Sequence, residues 1–139
     1  MGVEEELLQH LLDQVEGAFA AAIGTLDGLL VEGARRRRVD LEAAVAEHAA
    51  LLRQAKAAYA GSLGTPRVDE LLVGGHPVVG YVHVVRKLER RPQGPVPEGK
   101  GHEELFLLLL MAPEANLGQA RLQTTKAVEK LAEVAGWLT

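Results

Sequence analysis

Two segments of the chain carry no polar residue, and they constrain the fold more than any other feature. Residues 18–23 read Ala-Phe-Ala-Ala-Ala-Ile, and residues 105–111 read Leu-Phe-Leu-Leu-Leu-Leu-Met. Short, wholly apolar segments are typical of strands that are covered on both faces. Alanine propensity alone would continue a helix through residues 18–23, but the bracketing Gly17 and Gly24 favour a strand. We therefore predict that both segments are central strands of one sheet with helices on both faces.

Helices of the required kind are predicted in three places. Apolar residues recur at three- and four-residue intervals over residues 3–16, over 41–60, and from Asn116 to the end of the chain. Asp40 and Asn116 stand where an N-cap residue belongs. Each helix has an apolar face that can cover one side of the sheet.

Three further strands complete the predicted sheet. Asp27-Gly28 is a strong hairpin signal, and it leads into a return strand over residues 29–32. Residues 67–74 and 77–89 form the other two strands, and the proline- and glycine-rich residues 90–102 form a loop. The order α-β-β-α-β-β-β-α predicts a single α+β domain over residues 1–139, built on a central five-stranded, mostly antiparallel sheet.

Composition narrows the function classes. The chain is 47% hydrophobic, contains no cysteine and has a formal net charge of −4. A chain of this kind can bury a core without disulfides, and it has no overall electrostatic attraction for nucleic acid. The acidic N-terminus does not resemble a signal peptide, and the longest apolar run is too short to cross a bilayer. We expect a cytoplasmic protein that binds no nucleic acid and does not insert into membranes.

No catalytic or cofactor motif is complete. Residues 94–100 match the first seven positions of a phosphate-binding loop, but Gly101 stands at the eighth, in place of the hydroxyl residue that would hold magnesium. A predicted strand follows the segment, so no helix N-terminus would face a phosphate, and a hairpin loop is the favoured interpretation. Among the five histidines, His83 and His102 could meet across a hairpin, without an evident third metal ligand. His48 lies on the apolar side of the second helix, which favours a core or interface role. We predict a protein that is not an enzyme and holds no metal or cofactor.

One run of charge stands out as a possible anion-binding or partner-binding patch, consisting of Arg35, Arg36, Arg37 and Arg38. The run precedes a helix N-terminus, where cations are mildly unfavourable. A solvated loop is the favoured interpretation, and a partner site is the alternative.

The helix over residues 41–60 presents two apolar faces. One face carries larger residues that should turn inward: Leu41, Ala44, Val45, Leu51, Leu52, Ala55 and Tyr59. The opposite face carries small residues, which we name the alanine stripe: Ala43, Ala46, Ala50 and Ala57. A stripe of small residues suits close packing against another helix, although alanine is also simply the best helix former.

These segments resemble the roadblock/dynein-light-chain domain family, in particular its bacterial MglB-like members. The resemblance rests on Leu11 to Ile23, on Leu26 to Glu32 with its Asp-Gly turn, on the alanine-rich second helix, and on Asn116 to Arg121 at the start of the last helix. The order of elements matches across essentially the whole chain. The loop over residues 90–102 is longer and richer in proline than is usual in the family.

The resemblance implies a homodimer that binds and regulates a small Ras-like GTPase without nucleotide chemistry of its own. In the family the dimer is built from the second helix and the edge strand after it, which here gives the expected interface Ala43, Ala46, Ala50, Arg53, Gln54, Ala57, Val68, Glu70 and Leu72. The alternative is a small-ligand sensor of profilin-, longin- or PAS-like architecture, which would need a cavity with convergent polar groups.

Overall fold

A computed structural model describes residues 2–86 and 104–135. The phosphate-loop look-alike at 94–101, the rest of the loop over 90–102, His102 and the C-terminal residues 136–139 lie outside the described residues. The elements are α1 (Val3–Gln14), β1 (Ala18–Thr25), β2 (Leu30–Arg35), α2 (Leu41–Gly61), β3 (Glu70–Val73), β4 (Val79–Val85), β5 (Leu105–Met111) and α3 (Leu117–Ala135).

The strands form one five-stranded sheet in the order β2-β1-β5-β4-β3, and every paired neighbour is antiparallel. The two wholly apolar segments are β1 and β5, which lie side by side inside the sheet with Ile23 opposite Leu107. The predicted fold class and the predicted central position of these two strands are confirmed. Phe106, at the start of β5, is only 1% exposed.

The sheet separates two cores. Helices α1 and α3 cover one face, where Leu8, Leu11 and Leu131 pack against Ile23 and Leu109. Helix α2 covers the other face, where residues such as Val45 and Leu52 pack against Phe106 and Leu108. A strand with one apolar face could close only one of these cores, so β1 and β5 must be apolar on both faces.

Both predicted N-caps are confirmed. The Asp40 side chain accepts a hydrogen bond from the Ala43 amide at 3.1 Å, and the Asn116 side chain accepts one from the Gln119 amide at 3.0 Å. Each bond satisfies a donor that the first helical turn leaves free, which fixes the starts of α2 and α3.

Some strand boundaries differ from the predictions. Strand β2 continues to Arg35, because Ala34 pairs with Ala21 and is buried, so Gly33, Ala34 and Arg35 belong to the sheet and not to a loop. Strand β3 is shorter than the predicted 67–74 and begins at Glu70. Strand β4 begins at Val79, two residues later than predicted.

Two residues of α2 that we predicted to face inward are exposed instead. Leu51 is 40% exposed and Tyr59 is 46% exposed, whereas Ala49, which we did not assign to the inward face, is fully buried. The buried positions Leu41, Val45, Ala49 and Leu52 define a narrower arc than the predicted face. Leu51 lies outside it, and Tyr59 lies near the C-terminal end of the helix.

Candidate partner interface

The outer edge of β3 is unpaired in the described part of the chain. The Val84 amide donates to the Asp69 carbonyl at 2.9 Å, and Glu70 lies opposite His83. Backbone groups alternate between the two sides of a strand. Leu71 and Val73 therefore bond to β4, and Glu70 and Leu72 direct their N–H and C=O groups outward, away from the sheet.

The sheet's other edge, β2, is less open. The Arg36 amide donates to the Phe19 carbonyl at 2.8 Å, so by the same alternation Gly33 directs its N–H outward. That amide donates to the Glu32 carboxylate at 3.2 Å. A side chain that occupies an outward donor is a common means of protecting an edge strand from pairing. Of the two edges, β3 is the better template for another strand.

Glu70 also anchors β3 through its side chain. Its carboxylate accepts a hydrogen bond from Arg121 Nε at 2.8 Å and one from Arg121 Nη2 at 2.7 Å, and the Tyr81 hydroxyl donates to the same carboxylate. Arg121 belongs to α3 and Tyr81 to β4. These bonds lie on the α1/α3 face of the sheet, since Glu70 pairs with His83 and Leu72 with Tyr81.

The cluster shifts the ionisation of both acidic partners. The hydrogen bond from Arg121 holds the pKa of the Glu70 carboxyl below its usual value, and the bond from Tyr81 acts in the same direction. Burial raises the pKa of the Tyr81 hydroxyl, which keeps that group protonated as a donor. At neutral pH the cluster therefore holds a carboxylate between a guanidinium and a neutral phenol.

On the opposite face of the sheet, α2 approaches the same edge through the side chain of His48. His48 lies against Gly80 of β4, the strand next to β3, and its Nδ1 is 2.8 Å from the Ala44 carbonyl. Leu51 follows His48 by three residues and so lies on the same side of the helix. Val73 of β3 pairs with Gly80 and is 39% exposed.

Exposed apolar side chains lie on both faces of the sheet near the β3 edge, which is unpaired among the described residues. Leu72 is 50% exposed on one face of the strand, and Val73 and Leu51 are exposed on the other. We name this set, Glu70–Val73 together with His48 and Leu51, the edge surface. Contiguous exposed apolar residues beside unpaired strand groups are characteristic of a protein–protein contact.

The structure does not bring all the expected interface residues to this edge. Ala46 lies against Gly28 in the β1–β2 hairpin, and Arg53 donates to the Leu26 carbonyl in the same hairpin, so both face away from β3. Val68 is half-buried and packs against the core beneath α2. Glu70 and Leu72 do lie at the edge.

The remaining residues of the expected interface differ in exposure. Ala43, Gln54 and Ala57 are exposed, whereas Ala50 is half-buried. The sequence did not indicate His48 and Leu51 as the α2 residues on the β3 side. The available sequence signal was the pair of His48 in the helix and Gly80 in a strand. Only a glycine lets a ring pack so close to a sheet, so this pair could have indicated which side of α2 faces β4.

The arginine run does not converge on one point. Arg36 pairs with Asp13 of α1 at 2.5 Å, Arg35 donates to the Val39 carbonyl at 3.0 Å, and the Arg37 guanidinium lies 3.5 Å from the centroid of the Phe19 ring. Arg38 lines an open groove beside β2. Three of the four side chains thus fasten the β2–α2 connection to the rest of the domain.

The described residues offer little for chemistry. No group of three or more potential metal ligands occurs among residues 2–86 and 104–135. The grooves among the described residues include one of about 670 Å³ beside β2 and one of about 330 Å³ between α1 and α3. None of the helices in the described ranges is both long enough and apolar enough to cross a bilayer.

Comparison with solved structures identifies the fold of the chain. The chain matches a Roadblock/LC7 domain from Streptomyces avermitilis with a TM-score of 0.76 and 14% sequence identity, covering 94% of this chain and 96% of that one. It matches the gliding protein MglB from Thermus thermophilus with a TM-score of 0.77 and 20% identity, covering 98% and 93%. The chain has the roadblock/LC7 fold.

A further solved roadblock structure, described as MglB with a tetrameric arrangement, matches with a TM-score of 0.79 and 20% identity over 100% of this chain and 95% of that one. No protein-family model matches the sequence, and no curated protein does. At these identities the likeness concerns the roadblock fold alone.

Proposed function

We propose that the chain is a non-catalytic interaction module that forms a homodimer through the edge surface and, as a dimer, binds and regulates a small Ras-like GTPase. The main support for the homodimer is the edge of β3, which is unpaired in the described part of the chain. Glu70 and Leu72 present four outward backbone groups, and exposed apolar side chains lie beside them on both faces. An unpaired strand edge with such neighbours is best satisfied by another strand.

A second copy of the chain fits this edge by symmetry. Two antiparallel β3 strands related by a two-fold axis present the same surface to each other. A register centred on Leu71 uses all four outward groups of each strand and joins the two sheets into one. The α2 helices of the two copies would then lie next to each other on one face, with His48 and Leu51 on the sides that meet.

The GTPase partner follows from the resemblance to MglB-like roadblock proteins and not from a site on this chain. Nucleotide hydrolysis would use the GTPase's own phosphate-binding groups, and the dimer would act by positioning them.

Replacing Leu72 by proline tests the dimer at its backbone. The Leu72 N–H points outward, so proline removes a donor to the second copy without removing a bond to β4, and edge strands tolerate proline at such positions. The control is Leu72→Ala, which removes most of the side chain but keeps the N–H. Light scattering across a concentration series should show a dimer for wild type, a weaker dimer for L72A and a monomer for L72P. A dimeric L72P with a native circular dichroism spectrum would refute pairing through β3.

The partner is tested separately. The purified dimer, immobilised, is incubated with native lysate containing either GDP or a non-hydrolysable GTP analogue, and the retained proteins are identified by mass spectrometry. We expect a Ras-like GTPase to be retained in one nucleotide state more than in the other. L72P serves as the control, because a partner that recognises the dimer should be lost with it. Retention of no GTPase in either state would contradict the regulatory role while leaving the dimer intact.

A further inference from the structure

The contact between α3 and the edge strand is more than a surface ion pair. The Arg121 guanidinium places two N–H groups on the two oxygens of Glu70, at 2.8 and 2.7 Å, and the Tyr81 hydroxyl reaches the first of those oxygens. Such a two-pronged arrangement fixes the direction of the carboxylate as well as its position. We name the three residues the Arg121–Glu70–Tyr81 bridge.

Strand β3 has few other restraints. It is four residues long, and among the described residues it pairs only with β4. Residues 62–69 before it and 74–78 after it have no helix or strand structure. Within the strand only Leu71 packs against the core beneath α2, while Leu72 and Val73 are exposed. Short edge strands with so little burial belong to the low-stability part of a protein, so they open locally more often than the core.

Glu70 combines two roles in one residue. Its backbone N–H and C=O point outward, to where a second strand would pair, and its carboxylate is held by α3 and β4. A displacement of β3 would therefore break the bridge and move the pairing groups together. The bridge acts from the face of the sheet opposite α2, so it does not itself occupy the α2 side of the edge surface.

We propose that the Arg121–Glu70–Tyr81 bridge is a positioning device that holds β3 in its pairing geometry, so that the affinity between two copies of the chain depends on a residue of α3. This inference rests on the proposed pairing through β3. A dimer needs the strand ordered in both copies, and the fraction of competent strand therefore enters the dimerisation equilibrium twice. Arg121 is a positioning residue, since it contacts Glu70 and does not lie on the outer edge.

The bridge should matter little to the stability of the isolated domain. The Arg121 side chain is 69% exposed and that of Glu70 is 28% exposed, and pairs of this kind shift an equilibrium by about twofold to fivefold. If that shift acts on β3 in each copy, removal of the bridge weakens the dimer by at most about 25-fold, the square of fivefold. Dimer affinity, and not the melting temperature, is therefore the sensitive measurement.

The experiment compares Arg121→Ala with Arg36→Ala, which removes a similarly exposed pair with Asp13 on the far side of the domain. Sedimentation over a dilution series gives the dimer Kd, and denaturant titration at a concentration where each protein is monomeric gives the unfolding free energy of the isolated domain. R121A should weaken the dimer by up to the factor above with nearly unchanged unfolding, and R36A should leave the Kd unchanged. The single variants E70R and R121E should each weaken the dimer. The double variant E70R/R121E, which exchanges the two charges, should recover part of that lost affinity.

Amide hydrogen exchange supplies the readout that does not require a dimer. Leu71 and Val73 bond to β4, so their exchange should accelerate in R121A and not in R36A. A wild type that dimerises with a Kd equal to that of R121A overturns the inference while leaving the proposed dimer standing. A wild type that stays monomeric contradicts the proposed dimer, and unchanged exchange at Leu71 and Val73 would then also refute the ordering of β3 by the bridge.

Discussion

The imidazole of His48 occupies the space that a Cβ atom at Gly80 would need. Its Nδ1 is 2.8 Å from the Ala44 carbonyl, so that nitrogen carries the proton and the ring is held against β4. The contact sets the distance between α2 and the strand next to the free edge. A helix that lay farther from β4 would also place Leu51 farther from β3.

Gly80→Ala should therefore destabilise the domain. The new methyl group would overlap the His48 ring, and forcing an extra carbon into a packed position costs about 1–3 kcal/mol. Denaturant unfolding measures the loss. In the background His48→Ala the same change should cost clearly less, because the obstructing ring is gone. Gly74→Ala, at a glycine with nothing near its Cβ position, is the matched control. Equal costs for G80A with and without His48 would show that the ring is not the obstacle.

Phe106→Ala tests the central position of β5. The ring is 1% exposed in the core beneath α2, and truncation of a buried phenylalanine costs about 3–5 kcal/mol through lost transfer energy and a residual cavity. Chemical denaturation followed by circular dichroism gives the value. Leu122→Ala is the comparison, because Leu122 is 50% exposed and should cost little. A loss below about 1 kcal/mol for F106A would contradict the burial of this ring.

The sequence predicted the centre of the fold better than its edge. Wholly apolar β1 and β5 can satisfy their side chains only inside a sheet with two covered faces, so composition alone decides their position. The exposure of Leu51 could not be predicted in the same way. Its helical position is compatible with the apolar face, and only the diagonal passage of α2 from Gly33 of β2 to Gly80 of β4 decides which flank of the helix is covered.

The Arg121–Glu70–Tyr81 bridge could not be predicted from the sequence either. Arg121 and Glu70 are 51 residues apart, and nothing in their local patterns indicates that a side chain of α3 reaches β3 at that point. Glu70 was expected at the interface because of the resemblance and its place in an edge strand. Its bond to α3 depends on the tertiary arrangement of three elements.

Acid should weaken the contact between α3 and β3. The pKa of Glu70 is lowered in the folded protein, by Arg121 first and Tyr81 next, so the folded state binds its proton less readily than the unfolded state does. The stabilisation is present above the unfolded pKa, close to 4.5, and is lost as pH falls through the lower folded pKa. The groups around the carboxylate are Tyr81 and His83 of β4, Arg121 of α3 and the neighbouring Asp69.

The measurement is unfolding free energy against pH for wild type and Glu70→Gln. The two curves should converge as the pH falls below the usual range of a glutamate. Asp69 also has a lowered pKa, owing to Arg67 and Arg86, and it titrates in both proteins, so the difference between the curves isolates Glu70. A difference that does not change with pH would mean that Glu70 contributes through its shape and not through its charge.

The side of α2 that meets a second copy can be decided by two arginine substitutions. Leu51 lies on the His48 side of the helix, towards β3, and Ala57 belongs to the alanine stripe. Leu51→Arg should dissociate the dimer, because a two-fold contact would bring two guanidinium groups together and bury them without partners. Ala57→Arg should leave the dimer intact, and both monomers should remain folded, since each position is exposed. Light scattering gives the mass and circular dichroism the fold.

An interface through the alanine stripe predicts the reverse order, with Ala57→Arg and Ala50→Arg disruptive to the dimer and Leu51→Arg harmless. Of the stripe's variants Ala57→Arg is the cleaner, because Ala50 is half-buried and an arginine there would strain the monomer as well. A dimer lost in A57R and retained in L51R would move the interface from the β3 side of α2 to its outer face.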